Sequence, residues 1–146
     1  MKQKKKILFV CTGNTCRSPM AEGIFNEFAH KTGIDAFASS AGIFITERTV
    51  SKNAVKVMAE IGIDISSHIP TQIDDVLINE SDLILTMTEN HKRHLVSNGA
   101  PAEKVFTLAQ YVGENCNISD PYGGDEEIYR QTCEEIRSLI EKYEDK

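Results

Sequence analysis

The sequence predicts an α/β protein: a single-domain, doubly wound, four-stranded parallel sheet with helices on both faces. Three observations predict it. Short runs rich in Ile, Leu, Val and Phe alternate with stretches whose apolar residues recur at three- and four-residue steps. Alternating strand and helix units need crossover connections, and these give a parallel sheet wound on both sides. With 146 residues, 40% of them hydrophobic, the chain is large enough for one well-filled core. No internal repeat, low-complexity stretch or linker interrupts it, so residues 1–146 are read as one domain.

The elements follow in order. Residues 6–10 form the first strand, because Ile7-Leu8-Phe9-Val10 is an unbroken apolar run of the length of a buried strand. A helix is predicted over 19–32, with Met20, Ile24 and Phe28 on one face, Ala21 and Phe25 beside them, and Gly33 as its stop. Residues 36–39 read as the second strand, ending in Ser40-Ala41-Gly42. The next helix spans 51–61 and turns Ala54, Val57, Met58 and Ile61 inward, with Gly62 closing it. Residues 71–79 read as a short helix, 82–87 as a central buried strand, 89–96 as a helix and 104–108 as the fourth strand. The last helix, 125–143, carries Tyr129, Cys133, Ile136, Ile140 and Tyr143 at helical steps.

Between the first strand and first helix lies Cys11-Thr12-Gly13-Asn14-Thr15-Cys16-Arg17-Ser18-Pro19. Ser18-Pro19 is a helix-start signal, since proline lacks a donor that a first turn leaves unpaired anyway. A strand, a tight loop and a helix start aim backbone N–H groups and the positive end of the helix dipole at one spot, where a tetrahedral oxyanion fits. Helix N-termini and nearby cations favour ionised sulfur, so a cysteine there is expected to react as a thiolate. In doubly wound sheets ligands bind beyond the carboxyl ends of the strands, and Cys11 lies just past the end of the first.

Composition narrows the function classes. A net charge of −6 and a pI near 5.2 argue against a nucleic-acid footprint, and no run approaches the ~20 apolar residues of a membrane span. The basic lead-in, residues 2–6, is too short for an anchor, so a cytoplasmic protein with free thiols is expected. No histidine falls at a ligand spacing with a cysteine pair, so no metal and no cofactor is expected. Cys133 reads as a core residue and Cys116 lies in a polar loop. Cys16 shares the loop with Cys11; it either forms a protective disulfide with it under oxidation or simply fits the loop.

A second constellation, residues 117–124, is turn-rich and follows the last strand on the same rim. Pro121 biases Asp120 away from helix. A carboxylate there can protonate a leaving group and later activate water, or it can be a turn residue only.

The segments Cys11-Thr-Gly-Asn-Thr-Cys-Arg-Ser-Pro-Met-Ala-Glu22 and Asp120-Pro-Tyr, at opposite ends of the chain, resemble the low-molecular-weight protein phosphatases. Ser39-Ser-Ala-Gly42 and Ser66-Ser-His68 look like family positions too. The resemblance covers nearly the whole chain. It implies Cys11 as nucleophile, Arg17 as the clamp on the transferred phosphoryl group and Asp120 as acid then base, without metal. Thr12, Gly13, Thr15, Cys16 and Tyr122 would surround the phosphorylated side chain. Asn14, Ser18 and His68, with Ser40, match positions that brace the loop. The substrates implied are phosphorylated proteins.

Within the family the chain resembles the protein-arginine phosphatases of Gram-positive bacteria, with Thr15 where tyrosine-specific relatives carry a bulkier aliphatic residue. Lys104-Val-Phe-Thr-Leu108, Gly123-Gly124 and Ile128-Tyr-Arg-Gln-Thr132 add to that likeness. Tyr122 departs from it, since the arginine enzymes resemble this chain but carry Phe there. A protein-tyrosine phosphatase is the alternative. A thiol-dependent arsenate reductase shares fold and loop, but Cys116 and Cys133 do not resemble its resolving pair.

Overall fold

A computed structural model describes residues 4–145. Four parallel strands, β1 (Lys5–Cys11), β2 (Ala36–Gly42), β3 (Leu83–Thr86) and β4 (Val105–Thr107), stand in the order β2-β1-β3-β4. Six helices cover them: α1 (Arg17–Thr32), α2 (Lys52–Glu60), α3 (Asp75–Glu80), α4 (Glu89–Ser97), α5 (Leu108–Tyr111) and α6 (Glu126–Ile140). Successive side chains of a strand point to opposite faces. Ile7, Phe9 and Cys11 of β1 therefore join the larger core with α1, α2, α5 and α6, while Leu8 and Val10 join the smaller one with α3 and α4. A strand buried on both faces reads as a continuous apolar run, which is what marked β1 in the sequence.

The chain leaves β1 first toward β2 and then toward β3 and β4 on the other side. This reversal of strand order opens a crevice at the C-terminal end of β1, where Cys11 is the last strand residue. The predicted α/β class and the four parallel strands are thus present, and no helix among the described residues is long and apolar enough to cross a membrane. The lead-in expected over 2–6 lies partly outside the described residues; Lys5 and Lys6 begin β1.

Several boundaries differ from the predicted ones, each for a local reason. Helix α1 starts at Arg17, two residues before Pro19, so proline sits in the first turn, where no intrahelical donor is needed. The helix expected over 71–79 is Asp75–Glu80, because Asp74 caps it through Leu77 N–H (2.8 Å). Residues 71–73 instead lie extended against β2, with Gly42 N–H donating to the Thr71 carbonyl (2.8 Å) and Ile73 N–H to that of Gly42 (2.9 Å). Strand β4 ends at Thr107 because Thr107 and Gln110 form a reciprocal capping box that starts α5 at Leu108. Helix α6 stops at Ile140 rather than 143, yet Tyr143 stays buried in the following turn, its ring edge-on to Phe25 at 5.0 Å.

Candidate active site

Residues 12–16 connect β1 to α1 by a turn that needs a left-handed backbone at Asn14 (φ 55°), the one non-glycine residue with positive φ among those described. Asparagine tolerates this region better than most residues, and here its side chain is held on every side. Asn14 is fully buried. Its Oδ1 accepts the Thr71 backbone N–H (2.9 Å) and lies 3.0 Å from His68 Nε2, while its Nδ2 donates to Ser18 Oγ (2.8 Å) and Ser40 Oγ (3.0 Å). A backbone N–H can only donate, which fixes the amide orientation and makes His68 Nε2 a donor as well.

The direction of the remaining bonds follows. Ser40 accepts from Asn14 and gives its own proton to Glu22 Oε1 (2.7 Å). Ser18 also accepts from Asn14, and its hydroxyl, 2.8 Å from Cys11 Sγ, donates to that sulfur when it is a thiolate. The Asn14 backbone N–H reaches the same sulfur at 3.3 Å. Two donors therefore converge on a sulfur that is 3% exposed. Burial holds the His68 imidazole below its ordinary pKa, opposed by the charge of Glu22 at 4.0 Å.

Arg17, the first residue of α1, is 5% exposed and donates from Nη1 to the Ile118 carbonyl (3.0 Å), which fixes the plane of its guanidinium. Its Nη2 lies 3.5 Å from Asp120 Oδ2. Asp120 is held by a turn in which Oδ1 accepts the Tyr122 backbone N–H (3.1 Å), as an Asp-Pro segment permits. Cys11, Thr12, Gly13, Thr15, Cys16, Arg17, Asp120 and Tyr122 line one cavity of about 260 Å³. The site residues expected around the phosphate thus meet in one place, and Asn14, Ser18, Ser40 and His68 lie behind the loop.

Within the loop, the Thr15 carbonyl accepts Ser51 N–H (2.9 Å), and its hydroxyl lies 3.4 Å from Cys16 Sγ. Cys16 faces the Tyr129 hydroxyl at 3.3 Å; burial pushes its thiol up, and pushes Tyr129 up to about 12. Cys11 and Cys16 are both free thiols. Cys133 is buried in the core and Cys116 is exposed.

Sequence reasoning missed several neighbours. Thr12 turns its hydroxyl to His91 Nε2 (2.9 Å) at the start of α4, and burial with the nearby Arg17 charge pulls His91 down to about 4. Its position just beyond β3, on the rim that carries Cys11, was the available signal. Phe44, Thr46 and Glu47, from the segment after β2, complete the cavity wall, and Glu47 Oε1 accepts the Tyr122 hydroxyl (3.1 Å). The parts played by the Thr71 N–H and Ile118 carbonyl come from the backbone, which residue type does not reveal. Among the described residues no cluster of three or more His, Cys, Asp or Glu is placed to hold a metal ion.

A polarised sulfur, an oriented guanidinium and a carboxylate around one small cavity can carry out nucleophilic displacement at a tetrahedral oxyanion. Comparison with known proteins agrees. The family described as low molecular weight phosphotyrosine protein phosphatase matches residues 6–146. A protein-arginine-phosphatase of Bacillus subtilis is 40% identical over 137 residues, covering 92% of this chain and 91% of that protein. The low molecular weight protein-tyrosine-phosphatase PtpB of Staphylococcus haemolyticus is 43% identical over 138 residues, covering 94% and 96%. A solved structure of a YwlE arginine phosphatase, a mutant with a phosphorylated active-site serine, superposes with a TM-score of 0.90 at 38% identity, covering 94% of this chain and 91% of that one. This chain belongs to the low molecular weight phosphotyrosine protein phosphatase family.

Proposed function

We propose that this phosphatase removes phosphate from phosphoarginine residues of proteins through a phosphocysteine intermediate. The observation that carries the reading is the meeting of Cys11, Arg17 and Asp120 around one cavity, with the Asn14 N–H donating to the sulfur and the Ser18 hydroxyl 2.8 Å from it. Arg17 and the loop N–H groups hold the phosphoryl oxygens. Cys11 sulfur attacks phosphorus as the P–N bond breaks, and Asp120 in its acid form gives its proton to the departing guanidine nitrogen. Asp120, now a carboxylate, takes a proton from water. The water oxygen bonds to phosphorus, the P–S bond breaks, and inorganic phosphate leaves. Donors that already face the sulfur and the phosphoryl oxygens need no reorganisation during either step.

The leaving group is argued from the cavity wall. Thr15 is small and polar, which leaves room for the wide guanidinium, and Asp120 in its acid form can accept a guanidinium N–H on one oxygen while the other carries the proton for the departing nitrogen. The phosphorylated serine in the YwlE mutant supports a covalent phosphoenzyme. A phosphotyrosine reading is favoured by Tyr122 on the wall and by the PtpB relative. The deciding measurement is kcat/KM of the wild-type enzyme on one peptide sequence carrying phosphoarginine or phosphotyrosine. The expected result is a preference for phosphoarginine of at least tenfold, with Cys11→Ser inactive on both. A preference for phosphotyrosine would overturn the substrate assignment, and a Cys11→Ser enzyme that still turns over would remove the nucleophile.

A further inference from the structure

The cavity has an unexpected charge balance for a place that receives a phosphate dianion. Its lining carries one cation, Arg17, and two carboxylates, Asp120 and Glu47. Asp120 is paired with Arg17 at 3.5 Å. Glu47 is exposed and forms no ion pair among the described residues, not even with the adjacent Arg48. One of its oxygens accepts the Tyr122 hydroxyl, which anchors the carboxylate at the mouth, and this bond holds the phenol above its ordinary pKa, the proton staying on Tyr122.

An uncompensated anion within a Debye length of the phosphate site raises the cost of binding any phosphate whose remainder is neutral. The same anion favours a phosphorylated group that itself carries positive charge, because the cation then sits between phosphate and carboxylate. Phosphoarginine is such a group: its guanidinium offers several N–H donors in a planar fork that matches a carboxylate, whereas the ring of phosphotyrosine offers none. We propose that Glu47 is a specificity-determining residue that selects positively charged phosphorylated side chains by accepting guanidinium N–H groups and repelling neutral phosphoesters. The inference rests on the arginine reading above and adds to it a second carboxylate on the wall of the same cavity, with Tyr122 as the strut that holds it. Selection of this kind needs both the attractive and the repulsive half.

The test compares wild type with Glu47→Gln, which keeps the shape and an oxygen for the Tyr122 hydroxyl but removes the charge. On peptides of one sequence, kcat/KM for phosphoarginine should fall about 3- to 10-fold and that for phosphotyrosine should rise about 2- to 5-fold. Raising the salt to about 0.5 M should shrink the difference between the two enzymes, because mobile ions screen an exposed charge. Glu47→Gln activities that change in parallel on both peptides would overturn the inference. The wild-type ratio alone judges the arginine reading, whereas the change in ratio on removing the charge judges Glu47, so the two can fail separately.

Discussion

Thr15 shows how much one side chain in a buried loop can decide. Its backbone is tied to Ser51 and its hydroxyl to Cys16, so its methyl and hydroxyl are presented to the cavity in a fixed way. Isoleucine there adds apolar surface that favours a phenyl ring and crowds a guanidinium, each effect worth about 1–2 kcal/mol. The Thr15→Ile enzyme should therefore gain kcat/KM on phosphotyrosine and lose it on phosphoarginine, shifting the ratio by about 30-fold or more. Parallel losses on both substrates, read in the same assay, would make Thr15 a loop-stability residue instead. The loop residues that meet at this cavity were legible in the sequence because the motif packs Cys11, Arg17 and Ser18 into one short segment. Glu47 was not, because it reaches the site from another segment and carries no local pattern that separates it from an ordinary surface residue; His91 had only its place just beyond β3 to mark it.

Among the elements, the C-terminal end of β2 sets the shape of the loop. A Cβ at Gly42 would lie 2.7 Å from the Thr12 carbonyl oxygen and from Ile45 Cδ1, and 3.0 Å from Asn14 Cβ. The Thr12 carbonyl is not free to move, since it accepts Phe44 N–H at 2.9 Å. Gly42→Ala should therefore displace the loop, costing about 1–3 kcal/mol of stability and lowering kcat by more than tenfold on an aryl phosphate. Gly23→Ala is the informative comparison. A Cβ there meets side-chain methyls of Ile63, Met58 and Ile65 at 3.0–3.1 Å and no atom of the loop, so urea midpoints should fall while kcat holds. The strands and long helices were readable because apolar periodicity marks them. The shift of the third helix to 75–80 and the short α5 were not, because caps at Asp74 and Thr107 decide them, and those side-chain bonds override the apolar pattern.

For the whole molecule, acid sensitivity follows from two histidines held neutral by burial. His91 is pulled down to about 4, with Arg17 and His94 lowering it and Asp120 opposing, and His68 is lowered too, with Glu22 opposing. In the unfolded chain both bind protons near pH 6.5, so the unfolded state holds more protons below that pH. Their contribution to stability is complete above about 6.5 and is lost as the pH falls toward 4. Urea unfolding at pH 7, 5.5 and 4.5 should show stability declining across this window. His91→Gln should flatten the decline by up to one proton's slope, about 1.4 kcal/mol per pH unit. An unchanged slope would mean that His91 is protonated in the folded chain.

The hydrogen bonds around Asn14 reach residues 18, 22, 40, 68 and 71, so they draw on α1, β2 and the later connection between α2 and α3, as far as 57 positions along the chain. The bonds to residues 40, 68 and 71 exist only once those segments have docked. In a chain still assembling, the left-handed turn at Asn14 lacks the brace that fixes the loop around Cys11. During refolding, activity should accordingly return with the last of these dockings and not with early helix formation. The fold thus acts as a safety catch, arming its sulfur only in a finished molecule.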